Sequence, residues 1–283
     1  MDKHIYHNNR IVDASAARVE ATLAGLLYGW GVFTTMRIYD GQVFAFNRHW
    51  ERLTRHAEKA RVSLPLTFEE AQLAIGDLIQ ANAVANGRAR ITVLKGEAGG
   101  WYIAKRSASE VLVFTAAEAI TKSREVNLTL SPYRLLSSNP LVGVKRTSML
   151  EHLLALDEAR QRSFDDAVLL NERGEMVSTT SGNLFWVEGS ELLTPSLTTG
   201  CIAGITRAFV LEIAKRVNIH VNEGSFPITR LLDASEVFLT STARGINPVK
   251  SYDVKVFDSR DALMTRNLTY QFKKLTTDAK MNA

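Results

Sequence analysis

The chain has 283 residues, of which 46% are hydrophobic and 23% are charged. That length fits one large or two medium domains, and the hydrophobic fraction supplies a sizeable core, which excludes a disordered or low-complexity chain. The 34 lysines and arginines against 30 aspartates and glutamates give a net charge of +4, with no basic run typical of a nucleic-acid groove.

A single cysteine, Cys201, excludes a disulfide framework and a cysteine-cluster metal site. The first fifteen residues are polar, and no apolar stretch is long enough to cross a bilayer. We therefore expect a cytoplasmic α/β enzyme with no metal site, no nucleic-acid partner and no membrane partner.

The chain begins with two patterns of paired strands. Residues 4–12 predict two short strands around a turn at Asn8–Asn9. Residues 31–46 alternate in polarity around Asp40–Gly41, which is a strong hairpin signal.

Two helices and two strands are expected next. Asn47 is the candidate N-cap of the first helix. The second helix opens on a capping box formed by Thr67 and Glu70, and we expect it to run to Gly87. Strands are predicted at 89–96 and 110–117.

A polar stretch divides the chain in this interpretation. We predict a small α/β domain over 1–118, a linker over 119–123 and a larger domain over 124–283. The larger domain is expected to contain helices at 146–162 and 203–217. Its strands are predicted at 126–134, 165–171, 183–189 and 236–242. The elements do not follow strict βαβ alternation, which disfavours a doubly wound nucleotide fold.

Four features carry residues suited to chemistry, although each alone also fits an ordinary structural role. Lys145 follows apolar residues, and desolvation favours a neutral amine that can attack a carbonyl. The predicted helix start at 204–206 offers backbone amides to a phosphate. Hydroxyls and amides at 239–245 can form an anion nest. Arg52 can bind a phosphate through two hydrogen bonds. The corresponding structural readings are a surface lysine, a plain helix start, a loop cap and a solvated arginine.

In order and spacing, these features resemble fold-type IV pyridoxal-phosphate enzymes, which include branched-chain aminotransferases, D-amino acid aminotransferases and aminodeoxychorismate lyases. The resemblance extends from about Ile5 to Val256. The matching segments are Tyr28–Arg37, His49–Leu53, Gly143–Lys145, Ser181–Phe185, Gly204–Arg207 and Thr240–Ala243.

The resemblance implies a two-domain α/β fold with mixed sheets and flanking helices, a homodimer, and bound pyridoxal 5′-phosphate. Lys145 matches the lysine that forms a Schiff base and carries protons. The implied cofactor-binding residues are Arg52, Ser178, Asn183, Gly204, Ile205, Thr206 and Thr242. The residues expected to bind the small amino substrate are Tyr28, Phe33, Thr35, Arg90, Ala243 and Arg244.

One position departs from the family pattern. A glutamate that pairs with the pyridine nitrogen usually stands five residues before Asn183, where this chain has Ser178. Glu175 lies three residues earlier and is expected on the other face of the strand. A hydroxyl stabilises a charged ring nitrogen less than a carboxylate does, so the cofactor becomes a weaker electron sink unless another group or a water chain compensates.

The resemblance favours a lyase. Phe33-Thr34-Thr35 and Leu150-Glu151 resemble aminodeoxychorismate lyases, which remove pyruvate from 4-amino-4-deoxychorismate and leave 4-aminobenzoate, a folate precursor. Formation of an aromatic ring drives that step, so a weak sink is tolerated. The alternatives are an aminotransferase for branched-chain amino acids, D-amino acids or amines, and a binding protein that has lost activity.

Overall fold

The computed structural model describes residues 2–96, 108–119, 124–258 and 261–281. Contacts divide the chain into two compact units. The first unit comprises Met1–Thr121, Val144–Ser148 and Asp278–Ala283, and the second comprises Lys122–Gly143 and Met149–Thr277. The segment that carries Lys145 therefore groups with the first unit, whereas the sequence places it in the 124–283 domain. The linker stays a prediction, because its residues 120–123 lie outside the described part of the chain.

The first unit is built on an antiparallel sheet. Its elements are β1 (His4–His7), β2 (Arg10–Asp13), α1 (Ala24–Leu27), β3 (Gly31–Tyr39), β4 (Gln42–Val43), α2 (Phe46–Lys59), α3 (Phe68–Ala81), β5 (Gly87–Leu94) and β6 (Glu110–Ala117). The six strands lie in the order β2-β1-β6-β5-β3-β4, and each neighbouring pair is antiparallel. Apolar residues of α2 and α3 form a core with the sheet, including Leu53, Ile75, Leu78, Met36 and Ile91.

Both predicted hairpins are confirmed. Asn8 and Asn9 have φ angles of 43° and 68°, and Asp40 and Gly41 have φ angles of 46° and 80°. These left-handed pairs form the tight turns that match the twist of antiparallel strands.

The first long helix begins earlier than the sequence indicates. Helix α2 starts at Phe46 and is preceded by Ala45, which takes a left-handed conformation with φ 55° and ψ 41°. The prediction of Asn47 as N-cap is therefore wrong, because Asn47 already lies inside the helix.

The capping box of α3 is confirmed, but its predicted end is not. The backbone amide of Glu70 donates to Thr67 Oγ1 at 3.2 Å, and the backbone amide of Thr67 donates to Glu70 Oε2 at 2.8 Å. The helix ends at Ala81, and Val84 N donates to the Ile79 carbonyl at 3.0 Å as the chain turns away. The expected extension to Gly87 is wrong, since Gly87 already belongs to β5.

The second unit contains the remaining strands in one mixed sheet. Its elements are β7 (Val126–Leu135), α4 (Leu150–Gln161), β8 (Asp166–Asn171), β9 (Met176–Thr179), β10 (Asn183–Glu188), β11 (Glu191–Pro195), α5 (Ile205–Arg216), β12 (Val221–Gly224), α6 (Arg230–Asp233), β13 (Glu236–Ser241), β14 (Gly245–Tyr252), β15 (Lys255–Val256) and α7 (Leu263–Met281). The part of α7 from Asp278 onward groups with the first unit. The strand order is β12-β11-β10-β13-β14-β7-β8-β9, with β15 paired to β14. Three neighbouring pairs, β11/β12, β14/β7 and β7/β8, are parallel.

The predicted mixed α/β class is confirmed, and two helix boundaries change. Helix α4 begins at Leu150 instead of 146, because Arg146 forms an antiparallel bridge with Val32 and Thr147 N donates to the Gly31 carbonyl. Helix α5 begins at Ile205. Within the described ranges, no helix has both the length and the apolar character needed to cross a membrane.

Candidate active site

The segment around Lys145 is held against β3. Phe33 N donates to the Lys145 carbonyl at 3.1 Å, and Thr147 N donates to the Gly31 carbonyl at 2.9 Å. On the other side, Lys145 N donates to His56 Nδ1 at 3.0 Å. Both backbone polar groups of Lys145 are thus satisfied, which fixes the point from which its side chain projects.

The Lys145 amine lies among cations and an aromatic ring. Its Nζ is 4.5 Å from the centroid of the Phe33 ring, and the Arg90 guanidinium carbon is 3.8 Å from the same centroid. Burial, followed by the charges of Arg52 and Arg90, lowers the pKa of Lys145 to about 7. A substantial neutral fraction is therefore present near neutral pH, so this amine can act as a nucleophile and as a base.

Three predicted substrate residues share one face of the first sheet. Thr35 stands opposite Arg90 on β5, and Phe33 stands opposite Thr92. Because side chains alternate along a strand, Phe33, Thr35, Arg90 and Thr92 project to the same side. Arg90 Nε donates to Thr92 Oγ1 at 3.0 Å. The arrangement combines a guanidinium, hydroxyls and a ring, which suits an anionic organic substrate. Tyr28, which follows α1, is 59% exposed.

Arg52 is buried on α2, one turn after His49. Only 4% of Arg52 is exposed, and its Nη2 donates to Thr34 Oγ1 at 3.1 Å. The same hydroxyl lies 2.9 Å from His49 Nδ1. Burial, followed by the Arg55 charge, lowers the pKa of Arg52 to about 10, so the guanidinium is cationic at neutral pH.

Two histidines near these groups have no role in the sequence analysis. Burial, followed by Arg52 and Lys145, lowers the pKa of His49 to about 3. Burial, followed by cations led by Arg52, lowers the pKa of His56 to about 4. Both rings are therefore neutral at pH 7, and His56 accepts the hydrogen bond of Lys145 N at Nδ1. The segment His49–Leu53 is among the matching motifs, but His49 bonds to Thr34, fifteen residues earlier. His56 bonds to Lys145, far along the chain. Local sequence therefore gives no signal for either contact.

The second unit contains the predicted phosphate-binding helix start. Helix α5 follows Gly204 and has no side-chain cap, so the first backbone amides, including those of Ile205 and Thr206, point out of the helix end. Asn183, the first residue of β10, donates from Nδ2 to the Ile202 carbonyl at 2.9 Å. A Cβ at Gly204 would overlap with Asn183 Oδ1. Asn183 is thus placed to hold the chain just before α5.

A buried carboxylate organises the turn between β9 and β10. Asp166 accepts hydrogen bonds from Thr180 N at 3.0 Å, Thr180 Oγ1 at 2.6 Å and Thr179 Oγ1 at 3.2 Å. It also accepts from Ser181 Oγ. This turn joins Ser178 to Asn183, so Asp166 fixes the backbone between two predicted cofactor residues.

Ser178 lies on β9 opposite Leu169 and is buried. The nearby acid, Glu175, is engaged elsewhere: its carboxylate accepts from Arg173 Nη2 and from Asn171 Nδ2, both at 2.7 Å. Hydrogen bonds from Arg173 and Asn171 lower the pKa of Glu175 and keep it ionised.

The loop after β13 carries the remaining predicted residues. Thr242 and Ala243 are partly exposed and Arg244 is exposed. Arg244 N donates to Ser241 Oγ at 3.3 Å. In the adjoining strand, Thr240 Oγ1 is buried with no hydrogen-bond partner among the described residues. No grouping of histidine, cysteine and acidic side chains within the described ranges is arranged to hold a metal ion.

The low pKa of Lys145 predicts how stability depends on pH. The folded state holds this amine with a pKa of about 7, against a usual value near 10.5, so the unfolded chain binds the extra proton between those values. The free energy of unfolding of the cofactor-free protein should therefore rise with pH from about 7 to about 10, by at most about 1.4 kcal/mol per pH unit.

Chemical denaturation across that pH window measures the effect, with Lys145→Met as the matched variant. The wild-type slope minus the Lys145→Met slope should be positive. Equal slopes would show that the folded protein does not perturb this amine.

Comparison with known proteins identifies related chains along most of the length. The amino-transferase class IV family model matches residues 31–252. A putative branched-chain-amino-acid aminotransferase of Methanocaldococcus jannaschii is 32% identical over 96% of both chains. An aminodeoxychorismate lyase of Bacillus subtilis is 27% identical over 95% of this chain and 94% of the relative. The crystal structure of the Escherichia coli branched-chain aminotransferase is 26% identical and superposes with a TM-score of 0.90, covering 97% of this chain and 95% of that one.

Proposed function

The chain belongs to the class IV aminotransferase family, and from this premise we propose that it is an aminodeoxychorismate lyase, releasing pyruvate from 4-amino-4-deoxychorismate and leaving 4-aminobenzoate. Its cofactor is pyridoxal 5′-phosphate. The observation that carries the choice of reaction is Ser178, which stands where the family usually has a carboxylate for the pyridine nitrogen.

The residues present fit this cofactor. A largely neutral amine at Lys145 suits an aldehyde, and the buried cation Arg52 suits a phosphate monoester, which carries about 1.5 to 2 negative charges. The uncapped start of α5 offers further donors in its first backbone amides. When bound, the cofactor supplies an electron sink for a substrate amine.

Within this proposal, the residues of the first unit hold and move protons. Lys145 Nζ takes the proton from the ring carbon that bears the amino group, since about half of the amine is unprotonated near pH 7. The bond between the neighbouring ring carbon and the enolpyruvyl oxygen breaks, and the electron pair left by the removed proton completes the aromatic ring. Lys145 then returns its proton to the released enolpyruvyl group, which becomes pyruvate. Arg52, Ile205, Thr206 and Thr242 are assigned to the cofactor's phosphate.

Substrate carboxylates are assigned to the cationic face. The Arg90 guanidinium lies over Phe33 and is opposite Thr35, on the side of the sheet that also carries the Lys145 amine. Chorismate-type substrates carry two carboxylates, and arginine binds a carboxylate through two parallel hydrogen bonds. Tyr28, Ala243 and Arg244 complete the proposed substrate set.

The Ser178 position bears on the reaction through electrostatics. A carboxylate there favours the charged form of a ring nitrogen, whereas a hydroxyl does so weakly. Transamination needs a well-stabilised carbanion at the substrate carbon. Loss of pyruvate is assisted by formation of the aromatic ring. A weak electron sink should therefore slow the lyase reaction less than it slows transamination. Because Glu175 is bonded to Arg173 and Asn171, it is not placed to replace the missing carboxylate.

A second candidate is an aminotransferase that acts on branched-chain amino acids, D-amino acids or amines. The observation that favours it is the 32% identity with the Methanocaldococcus relative, which exceeds the identity with the Bacillus lyase.

One paired assay separates the two reactions. The holoenzyme is incubated with 4-amino-4-deoxychorismate, with pyruvate and 4-aminobenzoate measured, and separately with amino donors plus 2-oxo acids. The donors include branched-chain L-amino acids, D-alanine and simple amines. Equimolar pyruvate and 4-aminobenzoate support the lyase. Efficient amino transfer without pyruvate release would establish the second candidate instead.

Ser178→Glu tests the electronic argument. The added carboxylate should strengthen the sink and raise any side activity in amino transfer, by roughly tenfold for each 1.4 kcal/mol of extra stabilisation. The matched control is Ser178→Gln, which has the same length without the charge. Turnover with an amino donor and a 2-oxo acid is the readout. Equal rates in the two folded variants would contradict this interpretation of Ser178.

The proposal includes a homodimer. Light scattering on the purified holoenzyme should give twice the chain mass of 31.4 kDa. A monomer mass with full activity would remove the dimer from the proposal and leave the chemistry unchanged.

A further inference from the structure

We propose that Thr34 and His49 are positioning residues that aim the Arg52 guanidinium at the phosphate of the cofactor. The inference rests on the assignment of Arg52 to that phosphate under the proposed function. The carrying observation is a buried chain of two hydrogen bonds, from Arg52 Nη2 to Thr34 Oγ1 at 3.1 Å and between that hydroxyl and His49 Nδ1 at 2.9 Å.

The direction of the first hydrogen bond follows from the chemistry of the groups. A guanidinium has donors and no acceptor, so Thr34 Oγ1 must accept from Arg52. The same hydroxyl also bonds to His49 Nδ1, by donating to it in one imidazole tautomer and by accepting through its second lone pair in the other. In both tautomers one lone pair of Thr34 Oγ1 faces the guanidinium, and the contact with His49 holds the hydroxyl in that orientation.

Burial makes this arrangement rigid. Thr34 is 0% exposed, His49 is 1% exposed and Arg52 is 4% exposed, so water does not compete for these hydrogen bonds. A protonated His49 would add a second positive charge beside Arg52. Burial and the neighbouring charges of Arg52 and Lys145 oppose that state by lowering the pKa of His49. The His49 ring is therefore neutral at pH 7.

Side chains alternate in direction along β3, so Thr34 and the predicted substrate residues Phe33 and Thr35 lie on opposite faces of the sheet. Phe33 and Thr35 project to one side of the strand, and Thr34 projects to the other. Thr34 contacts Arg52 and His49, whereas Phe33 contacts Lys145 and Arg90. The first threonine of the Phe-Thr-Thr motif therefore serves the cofactor's phosphate, and the second belongs with the substrate residues.

Binding of two aldehydes that differ only in the phosphate tests the inference. Pyridoxal 5′-phosphate and pyridoxal are titrated into cofactor-depleted full-length protein, and Kd values are compared. Thr34→Val, which keeps the shape but removes the hydroxyl, should weaken binding of pyridoxal 5′-phosphate about tenfold and leave pyridoxal unchanged. Thr34→Ser should restore affinity to within about twofold. Thr115→Val removes another buried hydroxyl of the same sheet and should change neither Kd.

His49→Leu provides a second route if Thr34→Val fails to fold. Loss of the imidazole leaves the Thr34 hydroxyl free to rotate away from Arg52 and should produce the same phosphate-specific loss. Arg52→Gln should weaken binding of pyridoxal 5′-phosphate only. The inference is overturned if Arg52→Gln does so but the folded Thr34 and His49 variants either weaken binding of both aldehydes equally or change the binding of neither aldehyde. If Arg52→Gln shows no preference, the assignment of Arg52 fails and takes the inference with it. Failure of the lyase assay alone changes neither result, because binding does not depend on the reaction.

Discussion

Replacement of Lys145 by alanine is expected to lower kcat by at least about 10²–10⁴-fold while the protein remains folded. The reason is that the amine combines a pKa of about 7 with a backbone fixed by Phe33 and His56, so one group supplies both nucleophile and base. Turnover of 4-amino-4-deoxychorismate measures the fall in kcat. Intact-protein mass after borohydride reduction measures covalent attachment of the cofactor, which should become irreversible in wild type only.

Lys145→Arg separates the neutral amine from positive charge. Arginine keeps the cation but is not deprotonated in proteins, so it should be as inactive as alanine. Thermal unfolding confirms that each variant is folded. Substantial activity in Lys145→Arg, or cofactor still attached to Lys145→Ala after reduction, would assign the chemistry to another residue.

Replacement of Gly204 by alanine should destabilise the protein by about 1–3 kcal/mol, the usual cost of forcing an extra methyl into a packed site. The new Cβ would overlap with Asn183 Oδ1, whose amide also bonds to the Ile202 carbonyl. The backbone of Gly204, with φ −68° and ψ 139°, is ordinary for alanine, so the cost comes from the contact alone. Denaturant unfolding gives the stability, and titration with pyridoxal 5′-phosphate gives the affinity, which should fall with it.

A double-mutant cycle identifies the contact responsible. In an Asn183→Ala background the overlapping atom is absent, so Gly204→Ala should cost much less than in wild type. The two changes should therefore show a coupling free energy of at least about 1 kcal/mol. Additive effects would mean that the strain arises elsewhere around α5.

Local chemistry accounts for most of the elements. The left-handed pairs at Asn8–Asn9 and Asp40–Gly41 and the Thr67 capping box lie within a few residues of the structure they specify, so their outcome is readable from sequence. Helix ends set by distant contacts are not readable. The predicted helix at 146–162 loses its first turn because Arg146 and Thr147 pair with β3, more than one hundred residues earlier.

The candidate site divides in the same way. The order and spacing of the motifs resemble the family, and that resemblance assigns Lys145 to an aldehyde and Arg52 to a phosphate. The contacts that tune them are long-range: His56 is 89 residues from Lys145, and Thr34 is 18 residues from Arg52. Burial produces the shifts in their pKa values. The apolar residues before Lys145 indicate its burial from sequence, whereas the burial of Arg52 depends on how α2 packs in the folded chain.

Because Val144–Ser148 groups with the first unit, the chain cannot be divided after residue 121 without removing part of that unit. A fragment that stops after residue 121 would leave the backbone of Gly31 and Phe33 without their hydrogen-bonding partners and His56 without its donor. Gene fusion or domain shuffling at that point would thus remove the reactive amine from the sheet that supports it.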